Sequence, residues 1–323
     1  MAQTPPTRFP APLSVPVVPG CNNIIGTPDL SDGLTMLSYG AGQDSTAILY
    51  KIIYDSSFRE KYIRGHLLVV MSDTGNEHPD TYIHVSYSKK VCEEHGIDFV
   101  FLTNDMGYHG NTWPDLLSKY RMNNSIGSKA YPKTCTDNLK LKPIYRYLEE
   151  FIGNNAGYPI GQKRAIKGYA EDHGKTRVII GIAKGEEKRV AKEDAVFPWM
   201  RRGIERSYPL IDIGFNRKAC QNYMREVGHP VPPPSNCMVC PFLDEVELLW
   251  LYRFYPDHYQ EWVELEQNKI NANLHAGEKN YGVWGRKLLP EVLAISQDKY
   301  SDWTDEQLME YKMSHGHNLN SKY

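Results

Sequence analysis

Four short apolar runs punctuate the first two thirds of the chain: LTMLSYG at 34–40, GHLLVVMSDTG at 65–75, IDFVFLT at 97–103 and TRVIIGI at 176–182. Each is continuous rather than alternating, the pattern of a strand buried on both faces. Between them lie stretches with helical periodicity. DSTAILYKIIYDS puts Ala47, Ile48, Tyr50, Lys51 and Ile52 around one side of a predicted helix. HPDTYIHVSYSKKVCEEHG predicts another, with Pro79 suited to its first turn and Gly96 to its end. CTDNLKLKPIYRYLEEFI opens a further helix-rich stretch, and GQKRAIKGYAEDHGK reads as a Gly- and charge-rich linker. This βαβαβ rhythm predicts an α/β fold: an open, mostly parallel, twisted sheet with helices on both faces, Rossmann-like in class. Ligands of such sheets sit beyond the carboxyl ends of the strands.

After residue 206 the pattern changes. SYPLIDIGFNRKACQNYMREVG predicts a short extended piece and then a helix capped by Asn216, and HPVPPPSNCMVCPF a rigid proline-rich loop. LDEVELLWLYRFYP and DHYQEWVELEQNKINAN predict two helices, with Trp250, Tyr252, Phe254 and Trp262 at core spacing; a base-stacking platform would come with a basic groove. The polar tail from Asn280 predicts one helix near 304–313. At the other end, Pro5, Pro6, Pro10, Pro12, Pro16 and Pro19 predict an extended arm. The expected organisation is a proline-rich arm at 1–33, an α/β domain at 34–215, and a loop plus helical C-terminal region at 216–323.

Candidate chemistry begins at GAGQDS, residues 40–45. Small residues at a strand-to-helix turn let the backbone approach a ligand, and the free first-turn amides favour an anion such as phosphate; a tight turn with a Ser or Asp helix cap explains the same residues. Thr74 and Glu77 have capping-box spacing. The net charge of -2 excludes a global basic field, so any nucleic-acid contact needs a local patch such as the basic stretch at 184–206. No apolar run approaches the roughly 20 residues of a membrane span. The N-terminal residues lack a basic-then-apolar leader pattern, so a cytoplasmic protein is expected. Six cysteines in such a chain argue against a disulfide framework. Cys237 and Cys240, spaced C-x-x-C, suit a metal, a cluster or a redox pair.

GAGQDS at 40–45, SDTGNEHPDTY at 72–82, CTDNLKLKP at 135–143 and GIAKGEEKR at 181–189 occur in that order. Together they resemble the adenine nucleotide alpha hydrolase-like, PP-loop ATP pyrophosphatases, and among them the phosphoadenosine-phosphosulfate reductase-like branch. The resemblance covers residues 34–242. Against the family's S-G-G-x-D-S loop, Gly40 and Ala41 replace Ser and Gly, while Gly42, Asp44 and Ser45 match. Ala183 stands where the family carries Arg.

The resemblance implies a nucleotide-binding domain at 34–215 that takes ATP or another adenine nucleotide with Mg²⁺. It implies cofactor-binding roles for Gly40, Gly42, Gln43, Asp44, Ser45, Thr46, Ser72, Asp73, Thr74 and Glu77, and catalytic roles for Asp44, Lys140 and Arg189. Asp44 would hold Mg²⁺ or brace the loop, since a carboxylate cannot face phosphate unaided. Lys142, Lys184 and Lys188 are further candidates for oxyanion contacts. The iron-sulfur members carry two cysteines before a basic segment and a later C-x-x-C pair. Here Cys135, Cys237 and Cys240 match, with Cys220 as a candidate fourth ligand or a buried apolar residue. The implied group is a [4Fe–4S] cluster, with Zn²⁺ as the alternative.

A sulfonucleotide (PAPS/APS) reductase also uses a nucleophilic cysteine near its C-terminus, and residues 241–323 carry none. The expectation is therefore ATP-dependent sulfur transfer with a nucleic acid as a possible acceptor. A sulfur-donor protein such as a cysteine desulfurase, and a homodimer, are compatible with it; no membrane partner is expected. The alternatives are a reductase-like oxidoreductase with an unusual thiol donor and a non-catalytic nucleotide-binding module stapled by zinc.

Overall fold

The computed structural model of the protein describes residues 22–190 and 197–314. Its centre is one sheet in the order β1-β4-β3-β2-β5-β6. The strands are β1 (Asn22–Asn23), β2 (Leu34–Ser38), β3 (His66–Ser72), β4 (Asp98–Leu102), β5 (Thr176–Ile180) and β6 (Ile204–Ser207). β2 to β6 are all parallel, and the two-residue β1 closes one edge antiparallel to β4. Met36 of β2 stands in register with Leu68 of β3 and Val178 of β5. The apolar runs at 34–40, 65–75, 97–103 and 176–182 are therefore the central strands.

Successive strand residues face opposite sides, which divides the apolar run into two cores. Leu37, Val69, Phe99 and Ile179 pack on one face with Ile48, Leu49 and Ile52 of the Gln43–Tyr54 helix. Met36, Leu68, Val100 and Val178 pack on the other with Leu148 and Ile152 of the Lys142–Ala156 helix. A third core lies in the C-terminal helices around Trp250, Trp262, Leu289 and Leu308, and takes in Leu116, Tyr120 and Leu139. Trp250 and Trp262 are fully buried, whereas Tyr252 is exposed. Burying each large apolar side chain contributes about 1.5–3 kcal/mol, which is why these positions specify the layers. Among the described residues no helix is long and apolar enough to cross a membrane.

Several expectations need correction. GQKRAIKGYAEDHGK is no linker: Arg164–His173 is a helix with Ala165, Ile166 and Tyr169 buried. Gly168 inside it leaves room for the Tyr158 ring, 2.8 Å from where a Cβ would stand. The extended piece near residue 207 is β6, slightly upstream, and Pro209–Asp212 is a single helical turn. Asn216 caps the Arg217–Glu226 helix as expected, accepting the Ala219 N–H at 2.9 Å. That helix packs in the same core as Ile48 and Leu49, so packing does not divide at residue 216. The tail holds a second helix, Leu289–Lys299. The arm is folded from Asn22 onward: Leu30 is buried, and its carbonyl accepts the Tyr169 hydroxyl at 2.7 Å. The arm's prolines at 5–19, Cys21 and the last residues, 315–323, lie outside the described residues.

From β2 the chain builds outward through β3 to β4, then returns to lay β5 and β6 on the other side of β2. The connections therefore part between β2 and β5, at their carboxyl ends. That is the topological switch point where open α/β sheets bind ligands.

Candidate active site

The turn leaving β2 passes through Ala41, a fully buried alanine at φ 53°. An L-residue pays about 1–2 kcal/mol for that left-handed conformation. The turn delivers the chain into the Gln43–Tyr54 helix, whose N-terminus no side chain caps. Its first-turn amides therefore have no partner within the helix. Neither Ser45 nor Asp44 serves as the cap. The Ser45 hydroxyl turns back to accept the Gly40 N–H at 3.1 Å and donates to the Gly42 carbonyl at 3.3 Å.

Two glycines let neighbouring backbone close on this turn. A Cβ on Gly42 would stand 3.0 Å from Ser235 Cβ, and one on Gly181 would stand 2.8 Å from the Ser45 nitrogen. The proline-rich loop and the end of β5 thus press against the helix start. Gly42 is required by Ser235, a protein neighbour.

Between β2 and β5 lies a cavity of about 280 Å³. It is lined by Gly40, Gly42, Asp44 and Ser45 of the turn, by the apolar side chains of Met36, Val178, Ile144 and Tyr145, and by Cys135, Cys237 and Cys240. Beside the turn, Asp44 is buried with Oδ1 unpartnered among the described residues, while Oδ2 lies 3.7 Å from Arg217 Nη2. Burial pushes the Asp44 carboxyl above the usual range, against the pull of the Arg217 guanidinium. Glu186 joins two cations: Oε1 accepts from Arg217 Nη2 at 2.7 Å, and Oε2 accepts from Arg189 Nη1.

Around the cysteines, the C-x-x-C loop is bound to the turn after β3. Asn76 accepts the Met238 N–H at 2.8 Å through its carbonyl and the Val239 N–H at 3.0 Å through Oδ1. Thr74 Oγ1 donates to Glu77 Oε1 at 3.0 Å and lies 3.3 Å from Cys237 Sγ. Lys140 Nζ sits 2.7 Å from the same Glu77 oxygen, and Glu77 Oε2 is buried without a partner. Lys140 rides on a six-residue π-helix, Thr136–Leu141, that starts at Cys135. Such wide turns recur at functional sites, where they re-aim side chains. Burial pushes the Cys237 thiol well above its ordinary range and raises Cys240 as well. Burial works against the Lys140 charge, but Glu77 and the nearby thiols outweigh it and hold the ammonium above its usual pKa. Among the described residues no group of three His, Cys, Asp or Glu side chains is arranged to hold a metal ion. The donor set nevertheless suits thiophilic iron or zinc, and the orphaned Asp44 oxygen suits a hard cation.

Of the residues singled out in the sequence, Gly40, Gly42, Gln43, Asp44, Ser45, Thr74, Lys140, Arg189, Cys135, Cys237 and Cys240 line this one cavity. Others do not. Thr46 turns its hydroxyl to Tyr39 and His84, at 3.0 and 3.1 Å. Ser72 donates to the Leu139 carbonyl at 2.6 Å. Asp73 accepts from the Gly75 N–H and the Tyr82 hydroxyl, both at 2.9 Å. Glu77 stands behind Lys140. Thr74 and Glu77 form no capping box, because the helix starts at Pro79 under a His78 cap. Cys220 does not line the cavity with Cys135, Cys237 and Cys240: it is buried in the first apolar core with Met224 and Ile48. Lys142 and Lys184 are occupied by Asn138 and Glu187 at 2.6 and 3.3 Å.

Sequence reasoning missed Arg217, Glu186, Lys133 and Ser235. Arg217 carried a readable signal: it directly follows the Asn216 cap, and a cation in a helix's first turn opposes the macrodipole. No family model, curated protein or solved structure matches the chain.

Proposed function

We propose that the protein is a cytoplasmic enzyme that binds an adenine nucleotide across the switch point, splits ATP to AMP and pyrophosphate, and uses the energy for sulfur transfer. The observation carrying this reading is that an uncapped helix N-terminus and three cysteines line one cavity. The two groups suit two halves of one reaction. At the helix start, the amides of residues 42–45 would receive phosphate oxygens. Phosphoryl chemistry needs positioning and charge neutralisation more than covalent help, and Arg189, Arg217, Lys133 and Lys140 are the cations lining the cavity among the described residues. Asp44 would hold Mg²⁺ through its unpartnered oxygen. The apolar wall of Met36, Val178 and Ile144 suits a base.

In the proposed reaction an acceptor oxygen attacks the α-phosphorus and pyrophosphate leaves; sulfur then displaces AMP at the activated carbon. Cys135, Cys237 and Cys240 would hold a [4Fe–4S] cluster, which supplies a soft site for handling sulfide when bound. Thr74 and Lys140 would orient donors and positive charge toward the cysteines. A nucleic-acid acceptor would find Arg201 and Arg202 exposed on the Pro198–Gly203 helix, and the sulfur would come from a donor protein.

Anaerobic purification tests the proposal. We expect a brown protein with iron and acid-labile sulfide, and release of AMP and pyrophosphate from ATP when acceptor and sulfide are supplied. Cys135→Ser, Cys237→Ser and Cys240→Ser should each lose the metal, while Cys220→Ser and Cys92→Ser keep it. A colourless anaerobic protein with stoichiometric zinc would overturn the sulfur-transfer reading.

A further inference from the structure

We infer that Ser72, oriented by His109, and Pro143 are positioning residues: together they hold the Thr136–Leu141 turn in its wide form, and that form places Cys135 and Lys140 on one wall of the cavity. The inference deepens the sulfur-transfer reading and rests on it only for the use made of Lys140. Cys135 is itself helical in backbone, at φ -63° and ψ -39°, and Lys140 follows five residues later. In an α-helix, residues five apart point about 140° away from each other. A turn closed by i→i+5 hydrogen bonds instead stacks them on nearly the same side. The Lys142 N–H bonds the Asp137 carbonyl in that manner, and Cys135 and Lys140 both line the cavity.

Pro143 makes the narrow form unfavourable. With α spacing the Leu139 carbonyl would accept from the N–H of residue 143, but proline has none, and its ring crowds the carbonyl four residues back. Leu139 is fully buried, and a buried carbonyl needs a donor from the protein. Ser72, the last residue of β3, supplies it: its hydroxyl donates to the Leu139 carbonyl at 2.6 Å. His109 settles which way that hydroxyl points. His109 Nε2 lies 2.9 Å from the Asp73 carbonyl, which can only accept, so Nε2 carries a proton. The same Nε2 lies 3.2 Å from Ser72 Oγ and meets its lone pair, which leaves the hydroxyl hydrogen for Leu139. At the other side of the turn, Lys140 Nζ reaches Glu77 Oε1 at 2.7 Å. Ser72, His109 and Pro143 do not line the cavity, so they act on it through Lys140. Ser72, a nucleotide contact by resemblance, thus has a different task here.

Acetylation of the anaerobically purified full chain by a water-soluble succinimidyl ester, followed lysine by lysine with peptide mass spectrometry, tests the assignment alongside thermal melting. Ser72→Ala and Pro143→Ala should each speed acetylation of Lys140 about fivefold or more, the factor that release from one ion pair supplies, while Lys299 changes by less than about twofold. Ser72→Ala should also lower the melting temperature by about 2–4 °C, the loss expected for one hydrogen bond. Pro143→Ala restores an N–H for the Leu139 carbonyl, so Ser72→Ala should cost less than about half as much in a Pro143→Ala background. The double variant thus recovers stability while Lys140 stays fast, a separation that a purely structural role would not produce. Wild-type acetylation of Lys140 in folded Ser72→Ala and Pro143→Ala would overturn the inference, as would an equal cost of Ser72→Ala in both backgrounds. Should Ser72→Ala fail to fold, the Lys140 rate in Pro143→Ala decides the matter alone. Neither measurement needs ATP or sulfide, so a protein that transfers no sulfur leaves this result unchanged.

Discussion

At Ala41 two opposing costs meet in one residue. Its φ of 53° is strained for an L-residue, yet its methyl group is fully buried against the first core. Replacing it with glycine relieves about 1–2 kcal/mol of strain but forfeits roughly 0.8 kcal/mol of burial and adds about 0.5–1 kcal/mol of chain entropy. The terms nearly cancel, so Ala41→Gly should change the unfolding free energy by less than about 0.5 kcal/mol. Ala47 is equally buried but lies inside the helix, where nothing offsets the loss. Ala47→Gly should cost about 2 kcal/mol in the same urea titration. Equal costs for the two variants would show that the turn carries no strain. Gly42 and Gly181 differ from Ala41 in kind, because their hydrogens face protein backbone or Ser235 at contact distance. Composition hinted that this stretch was special, but only the fold reveals which small residue answers to strain and which to a neighbour.

The Pro79–Glu94 helix carries a buried histidine whose charge state bears on stability. His84 Nε2 lies 3.1 Å from both Tyr39 and Thr46 hydroxyls, tying this helix to the Gln43–Tyr54 helix and the end of β2. Burial drives the His84 pKa down to about 3. The unfolded chain's histidine titrates near 6.5, so between pH 6.5 and 3 the unfolded state binds the proton and the folded state does not. Stability is therefore lost as pH falls through that window. From pH 7 to pH 5 this one group should remove about 2 kcal/mol. In paired urea titrations, His84→Gln should start less stable at pH 7 and show a shallower loss towards pH 5. Parallel pH slopes for the two proteins would refute a neutral His84. Element by element, the strands were legible because burial on both faces leaves an unbroken apolar run. The Arg164–His173 helix was not, because its buried stripe is only Ala165, Ile166 and Tyr169, and Gly168 disguises it. Cys220 stayed open between ligand and core residue for a related reason: nearness in sequence to a C-x-x-C pair says nothing about which helix face a thiol occupies, and this one is buried in the core.

Across the whole molecule, the C-terminal helix, Asp305–Ser314, reaches back to brace the site, a connection spanning most of the chain and invisible to local pattern. Gln43, at the start of the Gln43–Tyr54 helix, donates to the carbonyls of Pro232 and Met313, both at 3.1 Å. Next to Met313, Lys312 forms a 2.8 Å ion pair with Glu247; the side chains are 4% and 1% exposed. Its ammonium also lies over the Trp250 ring, and with the Asn236 amide turned to satisfy its neighbours, the amide oxygen accepts from it at 3.1 Å. Asn236 lines the cavity beside Cys237. Removing one member of a buried pair leaves the other charge without its counter-ion, at a cost of about 3–5 kcal/mol. Lys312→Met should therefore lower stability by about that much, whereas Arg286→Ala, which breaks an exposed pair with Glu278, should change it by less than about 1 kcal/mol. Because Lys312 acts on the cavity through Asn236, the variant should also weaken ATP binding several-fold at a temperature where it remains fully folded. Calorimetry under those conditions separates the two effects: lost stability with unchanged ATP affinity would mean that the C-terminal helix staples the fold without shaping the site.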